Sequence, residues 1–146
     1  MTTQLKTRPK PKLIHNKKSP DWDIIIIGGG PAGLTAALYA ARSRLKVMII
    51  EKMIMGGMVT TTSHIENYPG FPEGISGMDL GAQMENQVKK LGVTVTWGIV
   101  QSIKNSKNEF TVIVDDKSYT AKALIVASGT EAAKIGVPGE DEFRGR

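Results

Sequence analysis

The sequence predicts an α/β fold in which a parallel sheet carries an inserted antiparallel β-meander. A run of four isoleucines at residues 24–27 ends abruptly in three glycines, as is typical of a parallel strand buried on both faces. A helical segment and a second apolar strand follow within about thirty residues, which is the order of a β-α-β unit. Further along, three strand-like segments between residues 99 and 121 are separated only by short polar turns, which predicts the meander.

The β-α-β unit is predicted to begin with a strand at residues 23–27 and to continue with a helix at 32–44. Ala, Leu and Tyr dominate that helix, and its small residues permit close approach to the sheet. The second strand is predicted at residues 46–50. The chain from residue 51 to 78 is rich in Gly, Pro and Thr, and loops of this length in compact domains are usually functional or disordered.

The second half of the chain is predicted to contain one helix and five strands. Asp79 is expected to cap a helix that ends near Leu91, with Gly92 as its C-terminal stop. We expect Trp97, at the end of the first of these strands, to lie in the core. The middle three strands form the predicted meander, and the last one would rejoin the parallel sheet. The five strands are predicted at residues 93–97, 99–104, 110–115, 118–121 and 123–127.

The charge distribution separates a basic tail from a nearly neutral body. Residues 1–20 carry six Lys and Arg side chains and no acidic one, whereas the remaining 126 residues hold 13 basic and 14 acidic side chains. Prolines and a low apolar content predict that this tail is flexible. It fits a solvated extension, an electrostatic anchor for nucleic acid or lipid, or a transit peptide, and its composition favours the first. The net charge of +5 therefore does not predict a nucleic-acid partner.

The absence of cysteine limits the chemistry of this chain. Without a thiol, the chain cannot hold a disulfide, a thiolate metal site or a dithiol redox centre of its own. We assign no metal ligand and no catalytic residue, and we expect His64 to be an ordinary loop residue. No stretch approaches the roughly 20 apolar residues that a membrane span needs. We therefore expect a soluble, cytoplasmic protein without a membrane partner.

A glycine motif, Gly28-x-Gly30-x-x-Gly33, joins the first predicted strand to the first predicted helix. Gly28 permits a tight turn, Gly30 lets the backbone approach a pyrophosphate, and Gly33 lets the helix pack against the strand. Pro31 and Ala32 complete the turn. The N-terminus of the helix would offer N–H groups and the positive end of its dipole to phosphate oxygens.

An acidic residue, Glu51, follows the second predicted strand, 18 residues after Gly33. Its carboxylate can accept hydrogen bonds from the ribose hydroxyls of an adenine dinucleotide and would repel a 2′-phosphate, which disfavours NADP at this site. A glycine turn alone can serve packing only. The preceding strand, the following helix and Glu51 together predict a dinucleotide site, with NAD and FAD both still open.

Several ordered motifs lie within residues 21–146. They are residues 23–37 (DIIIIGGGPAGLTAA), Gly56-Gly57, residues 66–74 (ENYPGFPEG), residues 127–129 (ASG) and residues 136–140 (GVPGE). These motifs resemble those of the thioredoxin reductase family, which has Ala-Thr-Gly at the position of ASG. The resemblance implies a Rossmann-like, FAD-binding domain whose first segment covers residues 21–130. Residues 131–146 would form a crossover linker to an NAD(P)H domain that is absent from the sequence.

The same resemblance implies which residues bind FAD. Met58 stands where the family usually has Gln, and its thioether cannot make the hydrogen bonds of an amide. Asn67 matches a flavin-facing position but also fits the start of a turn. Thr60, Thr61 and Thr62 would bond either backbone or cofactor. The implied contacts are Gly28, Gly30, Pro31, Ala32 and Gly33 at the pyrophosphate, Glu51 at the ribose, Gly57, Met58 and Asn67 at the flavin, Val100 at the adenine, and Ala127 and Gly129 in a second turn over the cofactor.

The implied activity is that of a flavoprotein oxidoreductase that passes electrons from NAD(P)H through FAD to a disulfide acceptor. A thioredoxin-like protein would be the acceptor, and a homodimer is implied. The chain has no second G-x-G-x-x-G, no Cys-x-x-Cys and no closing strand and helix. We therefore expect a fold that is incomplete at its C-terminus, with an open sheet edge, and a chain that does not turn over alone.

NADPH is implied only for the missing domain, which a separate chain would have to supply. Two alternatives remain open from the sequence. One is a ferredoxin/flavodoxin–NADP reductase on the same scaffold, which lacks the dithiol. The other is a stand-alone flavin-binding module, or a fragment, without turnover.

Overall fold

A single six-stranded sheet forms the centre of the computed structural model, which describes residues 19–107, 109–131 and 133–143. Residues 1–18 of the predicted tail lie outside the described residues. The strands are β1 (Trp22–Ile27), β2 (Val47–Glu51), β3 (Thr94–Trp97), β4 (Val100–Ser106), β5 (Glu109–Val114) and β6 (Lys117–Val126). The helices are α1 (Pro31–Arg42), α2 (Gly77–Lys90) and the short α3 (Glu140–Phe143), and a 3-10 helix spans Gly57–Thr61.

The strand order across the sheet is β3-β2-β1-β6-β5-β4. The pairs β1–β2, β1–β6 and β2–β3 are parallel, whereas β4–β5 and β5–β6 are antiparallel. Because β1 lies between β2 and β6, the strands that follow it along the chain are placed on both of its sides. The predicted α/β fold, a parallel sheet with an inserted antiparallel meander, is confirmed.

The last strand, β6, is continuous where the sequence predicts two strands with a break at Lys122. Its first half pairs with β5, and its second half pairs with β1 from Ala121 opposite Trp22 to Val126 opposite Ile27. Lys122 does not interrupt the strand, because its Nζ reaches the carboxylate of Asp23 at 2.6 Å and stays at the surface. In the described part of the chain, residues 122–126 have β1 as their one strand partner, as expected for an open sheet edge.

The core has two layers, one on each face of the sheet, because successive side chains of a strand point to opposite faces. The first layer lies between the sheet and the helices α1 and α2, and it contains Ile26, Leu34, Ala37, Val47, Ile49 and Val88. The second layer lies between β1, β2 and the meander, and it contains Ile25, Met48, Ile50, Val112, Val114 and Ala121. Burial on both faces explains the uninterrupted isoleucine run of β1.

Helix α2 is capped by Ser76 rather than by Asp79, so the predicted cap was wrong by three positions. The Ser76 hydroxyl accepts a hydrogen bond from the Asp79 N–H at 3.0 Å and donates one to the Asp79 carboxylate at 2.7 Å. The first of these bonds satisfies a free N–H group of the first helical turn, and the second orients the Ser76 hydroxyl for it. Gly92, with φ +78, follows the end of the helix as predicted.

Trp97 does not lie in the core. Its side chain is 53% exposed, because β3 is an edge strand that pairs only with β2 in the described residues. The long segment from residue 51 to 78 is folded rather than extended. It contains the 3-10 helix and a short bridge between Ile65 and Ile75.

Asp23 fixes the start of β1 to both of its neighbours. Its carboxylate accepts a hydrogen bond from the Lys46 backbone N–H at 2.8 Å and one from the Lys122 ammonium at 2.6 Å. The hydrogen bond from Lys122, followed by the one from Lys46, lowers the pKa of Asp23. A carboxylate with a lowered pKa stabilises the fold above its unfolded pKa, and this stabilisation is lost as the pH falls through the lowered value.

We predict that Asp23→Asn lowers the free energy of unfolding at pH 7. The deficit should begin to narrow as the pH falls below about 4, where the carboxylate of the unfolded chain protonates, and it should vanish as the pH falls through the lowered pKa of the folded chain. Urea unfolding of both chains from pH 7 to pH 3 measures this difference. Asp116→Asn, in the exposed turn between β5 and β6, is the matched control. A deficit for Asp23→Asn that is the same at every pH would contradict the assignment.

Candidate functional site

A cleft lies at the carboxyl ends of β1, β2 and β6, where the strand order reverses. Ligands of open parallel α/β sheets bind at such a switch point. The cleft consists of a cavity of about 620 Å³ and an adjoining cavity of about 190 Å³. Both are bordered by Gly28, Glu51, Lys52 and Ser128, so they meet at the glycine turn after β1.

Most of the residues predicted from the sequence come together in this cleft. The larger cavity is bordered by Gly28, Gly30, Pro31, Ala32, Glu51, Gly57, Met58, Ala127 and Gly129. Val100 borders the smaller cavity. Gly33 is buried under the turn, and Asn67 is exposed in the loop between Ile65 and Ile75 and borders neither cavity. The ligand contacts of all these residues stay predictions.

The three glycines of the motif have different structural roles. A Cβ at Gly33 would overlap the carbonyl oxygen of Gly28, so this glycine lets α1 pack against the turn. Gly28 has φ +104, and a Cβ there would overlap the carbonyl of Ala127. At Gly30 the nearest protein atom would lie 3.9 Å from a Cβ, and φ is −72. Packing therefore requires glycine at positions 28 and 33, whereas the space that a side chain at position 30 would fill is part of the larger cavity.

Helix α1 presents its N-terminus to the larger cavity. Gly30 is the N-cap, no side chain caps the helix, and its first turn holds no acidic residue. The first N–H with a helical acceptor is that of Leu34, which donates to the Gly30 carbonyl at 2.9 Å. The N–H groups of Ala32 and Gly33 precede it and have no acceptor one turn back. Together with the helix dipole, they can bind a phosphate oxygen.

The carboxylate of Glu51 connects two of the loops that border the cleft. One of its oxygens accepts the Gly29 N–H at 2.6 Å, and the other accepts the Met53 N–H at 2.9 Å. Glu51 is only 8% exposed, yet it borders both cavities. Each carboxylate oxygen has a second lone pair, so a ribose hydroxyl can still donate to it. Glu51 was predicted only as a ligand group, and no sequence pattern indicated its structural role.

Two charged residues in the cleft were not predicted from the sequence. The ammonium of Lys52 lies 3.6 Å from a carboxylate oxygen of Glu131, in the loop after β6. Lys52 borders both cavities and Glu131 borders the larger one. Lys52 directly follows the predicted acid, but no local pattern could pair it with a residue 79 positions away.

Apolar side chains from the loop after β2 border the larger cavity. Met53, Ile54 and Met58 are all exposed there, whereas Met55 is buried in the helix-side core. Thr60 and Thr61 donate their hydroxyl hydrogens to the carbonyls of Gly57 and Met58, both at 2.8 Å. Both threonines also border the larger cavity, so a contact with the cofactor stays a prediction beside these backbone bonds.

Other kinds of site are not apparent in the described residues. His64 is exposed and borders neither cavity, as expected for a loop residue. No group of three or more His, Asp and Glu side chains that could hold a metal occurs within residues 19–107, 109–131 and 133–143. Nor does that part of the chain contain a helix long and apolar enough to cross a membrane.

The arrangement fits a dinucleotide. Such a ligand has two nucleotide halves joined by a pyrophosphate, and the cleft has two cavities that meet at a glycine turn and a helix N-terminus. The smaller cavity lies beside the carboxylate expected to face a ribose. Fold and cleft together define a dinucleotide-binding α/β domain.

Comparisons with known proteins place this domain in a family. Residues 22–146 match the pyridine nucleotide-disulphide oxidoreductase family, and the chain belongs to it. The chain is 45% identical over 125 residues to a thioredoxin reductase of Bacillus subtilis and 42% identical over 125 residues to one of Listeria monocytogenes. Each alignment covers 86% of this chain and 39% of the relative, so the chain spans about two fifths of their length.

Solved structures are similar over the same region. The thioredoxin reductase of Lactococcus lactis superposes with a TM-score of 0.77 at 39% identity, covering 84% of this chain and 40% of that one. The thioredoxin reductase of Streptococcus pyogenes superposes with a TM-score of 0.76 at 48% identity, covering 82% and 39%. The resemblance deduced from the sequence is thus confirmed.

Alanine substitutions at Gly30 and Gly33 are predicted to affect different properties, ligand binding for Gly30 and fold stability for Gly33. Gly30→Ala should leave the free energy of unfolding within about 1 kcal/mol, as for other N-cap changes, and should weaken dinucleotide binding at least tenfold. Gly33→Ala should lower the free energy of unfolding by more than about 3 kcal/mol because it overpacks the turn. Thermal unfolding and a binding titration measure both effects. Equal loss of stability in the two variants would contradict this division.

Glu51→Gln should destabilise the fold even without a ligand. The side chain of glutamine has one acceptor oxygen, which can accept only one of the two backbone N–H groups bound by Glu51. Its NH₂ group would face the other N–H, and that buried donor would be left unsatisfied at a cost of about 1–3 kcal/mol. Urea unfolding of the ligand-free chain measures the change. Glu85→Gln, which removes a surface carboxylate paired with Lys89 on α2, should cost no more than about 0.5 kcal/mol. If both variants behave alike, Glu51 does not organise the loops.

Proposed function

We propose that this chain binds FAD and that it is the FAD-binding portion of a thioredoxin-reductase-like flavoprotein oxidoreductase. The observation that carries the proposal is the continuous cleft, whose two cavities meet where the N-terminus of α1 and the glycine turn face the space. An adenine dinucleotide has the same two-part form around a central pyrophosphate.

The nature of the larger cavity favours FAD over NAD. Met53, Ile54, Met58 and Val59 give it an apolar border, which suits the flat tricyclic ring of a flavin better than the smaller, polar nicotinamide. The kinship with thioredoxin reductases supports the same choice. The adenosine half would occupy the smaller cavity beside Val100, with its ribose on Glu51.

The residues of the cleft would bind and orient the cofactor. The N–H groups of Ala32 and Gly33 would donate to the pyrophosphate, which Gly30 allows to approach. Gly57 and Met58 would border the flavin side, and Ala127 and Gly129 would close over it from the turn after β6. Asn67 would reach the flavin or its ribityl chain only if the loop between Ile65 and Ile75 moves towards the cleft.

In the whole protein, bound FAD would supply the means to pass electrons from NAD(P)H to a disulfide acceptor. The protein residues would position the cofactor and exclude water around it. We propose residues 21–130 as the first segment of the FAD domain and residues 131–146 as the linker to an NAD(P)H domain. A thioredoxin-like protein as acceptor, NADPH as donor, a homodimer and a cytoplasmic location belong to the same proposal.

A titration of the purified chain with FAD tests the proposed cofactor. We expect flavin absorbance changes on binding, and at one hundred times the dissociation constant the fold should gain about 2.7 kcal/mol. NAD⁺ serves as the comparison because it shares the adenosine half and the pyrophosphate. Stabilisation by NAD⁺ and none by FAD would contradict the proposal.

A second arm of the experiment addresses turnover. NADPH should leave the flavin oxidised on this chain alone, since the sequence has no second glycine fingerprint with which to bind NADPH. Adding a separate NAD(P)H-domain chain should restore reduction of the flavin if this chain is the FAD-binding portion of an oxidoreductase. A flavin that stays oxidised with every such domain would favour the stand-alone binding module. Reduction without transfer to a disulfide would favour a ferredoxin/flavodoxin–NADP reductase.

A further inference from the structure

The charges that border the cleft do not match the ligand that the cleft is proposed to bind. In the described part of the chain, the charged side chains at the two cavities are Glu51, Lys52 and Glu131. The pyrophosphate of a dinucleotide is dianionic, whereas the cleft carries two carboxylates and one ammonium. Lys52 is the one cation among the three, and it borders both cavities.

The two carboxylates differ in how they are held. Glu51 is 8% exposed, and both of its oxygens accept backbone N–H groups. The side chain of Glu131 is 88% exposed, and its ion pair is with Lys52, whose side chain is 57% exposed. An exposed pair at 3.6 Å contributes little, at most about a fivefold factor in an equilibrium constant. An anion that binds the Lys52 ammonium more strongly can therefore replace the Glu131 carboxylate.

The position of Lys52 indicates which part of a ligand it would meet. It is shared by the smaller cavity, proposed for adenosine, and the larger cavity, proposed for the flavin. The pyrophosphate joins these two halves, and so it must pass the boundary at which Lys52 stands. An ammonium on a flexible four-carbon stem can follow a phosphate over several ångströms.

We propose that Lys52 binds the phosphate groups of the dinucleotide and that Glu131 competes with them for its ammonium. The inference rests on the proposed function, because it concerns the same cleft. In the free chain Glu131 holds Lys52 at the cavity mouth. On binding, the phosphate takes the place of the Glu131 carboxylate, which then turns to solvent. Lys52 thus favours binding, and Glu131 weakens it.

The experiment measures FAD dissociation constants by flavin fluorescence for the unchanged chain, Lys52→Gln and Glu131→Gln. At a salt concentration of about 0.05 M, we expect Lys52→Gln to weaken binding about three- to tenfold and Glu131→Gln to tighten it about two- to fivefold. Lys52→Arg should retain most of the affinity, because it keeps the charge. Both differences should shrink in about 1 M salt.

Lys134 and Asp141 provide a matched control pair. They form an ion pair at 2.7 Å, the Lys134 side chain is 57% exposed like that of Lys52, and neither residue borders a cavity. Lys134→Gln and Asp141→Asn change the net charge equally, and we expect affinities within about twofold of the unchanged chain. ADP and adenosine as competing probes separate phosphate from base contacts, since Lys52→Gln should weaken only ADP.

The outcomes separate the two claims. If the unchanged chain does not bind FAD, the proposed function fails and the inference fails with it. If FAD binds and Lys52→Gln equals Lys134→Gln, the inference alone is overturned. Weaker binding in both Lys52→Gln and Glu131→Gln would also overturn it, because the ion pair would then be structural. Thermal unfolding of each variant confirms that the fold is retained.

Discussion

The hydrogen bonds accepted by Glu51 hold together the part of the structure on which the cleft depends. Its carboxylate ties the turn after β1, through Gly29, to the chain after β2, through Met53. Both bonds are charge-assisted and poorly accessible to water, which makes them stronger than ordinary hydrogen bonds. The backbone N–H of Gly56 also donates to the Gly29 carbonyl at 2.8 Å, so the Glu51 carboxylate reinforces a direct backbone connection between the glycine turn and the loop that carries Met58.

The continuous strand β6 supplies the third side of the cleft. Because its second half runs parallel to β1, it delivers the turn at Ala127 to the same edge of the sheet as the glycine turn. Its first half closes the meander that covers the opposite face of β1 and β2. One strand therefore joins the core layer behind the sheet to the border of the site.

The sequence predicted those features that depend on neighbouring residues. The isoleucine run, the glycine motif and the helix after it are local signals, and all three appear where they were expected. The cap of α2 was misplaced although a local signal existed, since Ser76 and Asp79 are both good N-cap residues and hydrogen-bond to each other at the start of the helix.

Features that depend on distant parts of the chain were not predicted. The break expected in β6 at Lys122 is absent because the Lys122 ammonium forms an ion pair with the carboxylate of Asp23, which is distant in the sequence. Trp97 is exposed because β3 lies at the sheet edge, which only the strand order reveals. The proximity of Lys52 to Glu131 likewise needs β2 and β6 to end at the same edge of the sheet, on either side of β1. Residue type alone carries no such information.

The central claim is that FAD lies with its pyrophosphate against the glycine turn and the first turn of α1. Residue-resolved ¹H–¹⁵N spectra of the chain with and without FAD test it most directly. We expect the largest shift changes at the backbone N–H groups of Gly30, Ala32 and Gly33, with small changes at the exposed residues 102–106 of β4. Saturable FAD binding that leaves these three N–H groups unshifted would contradict the account.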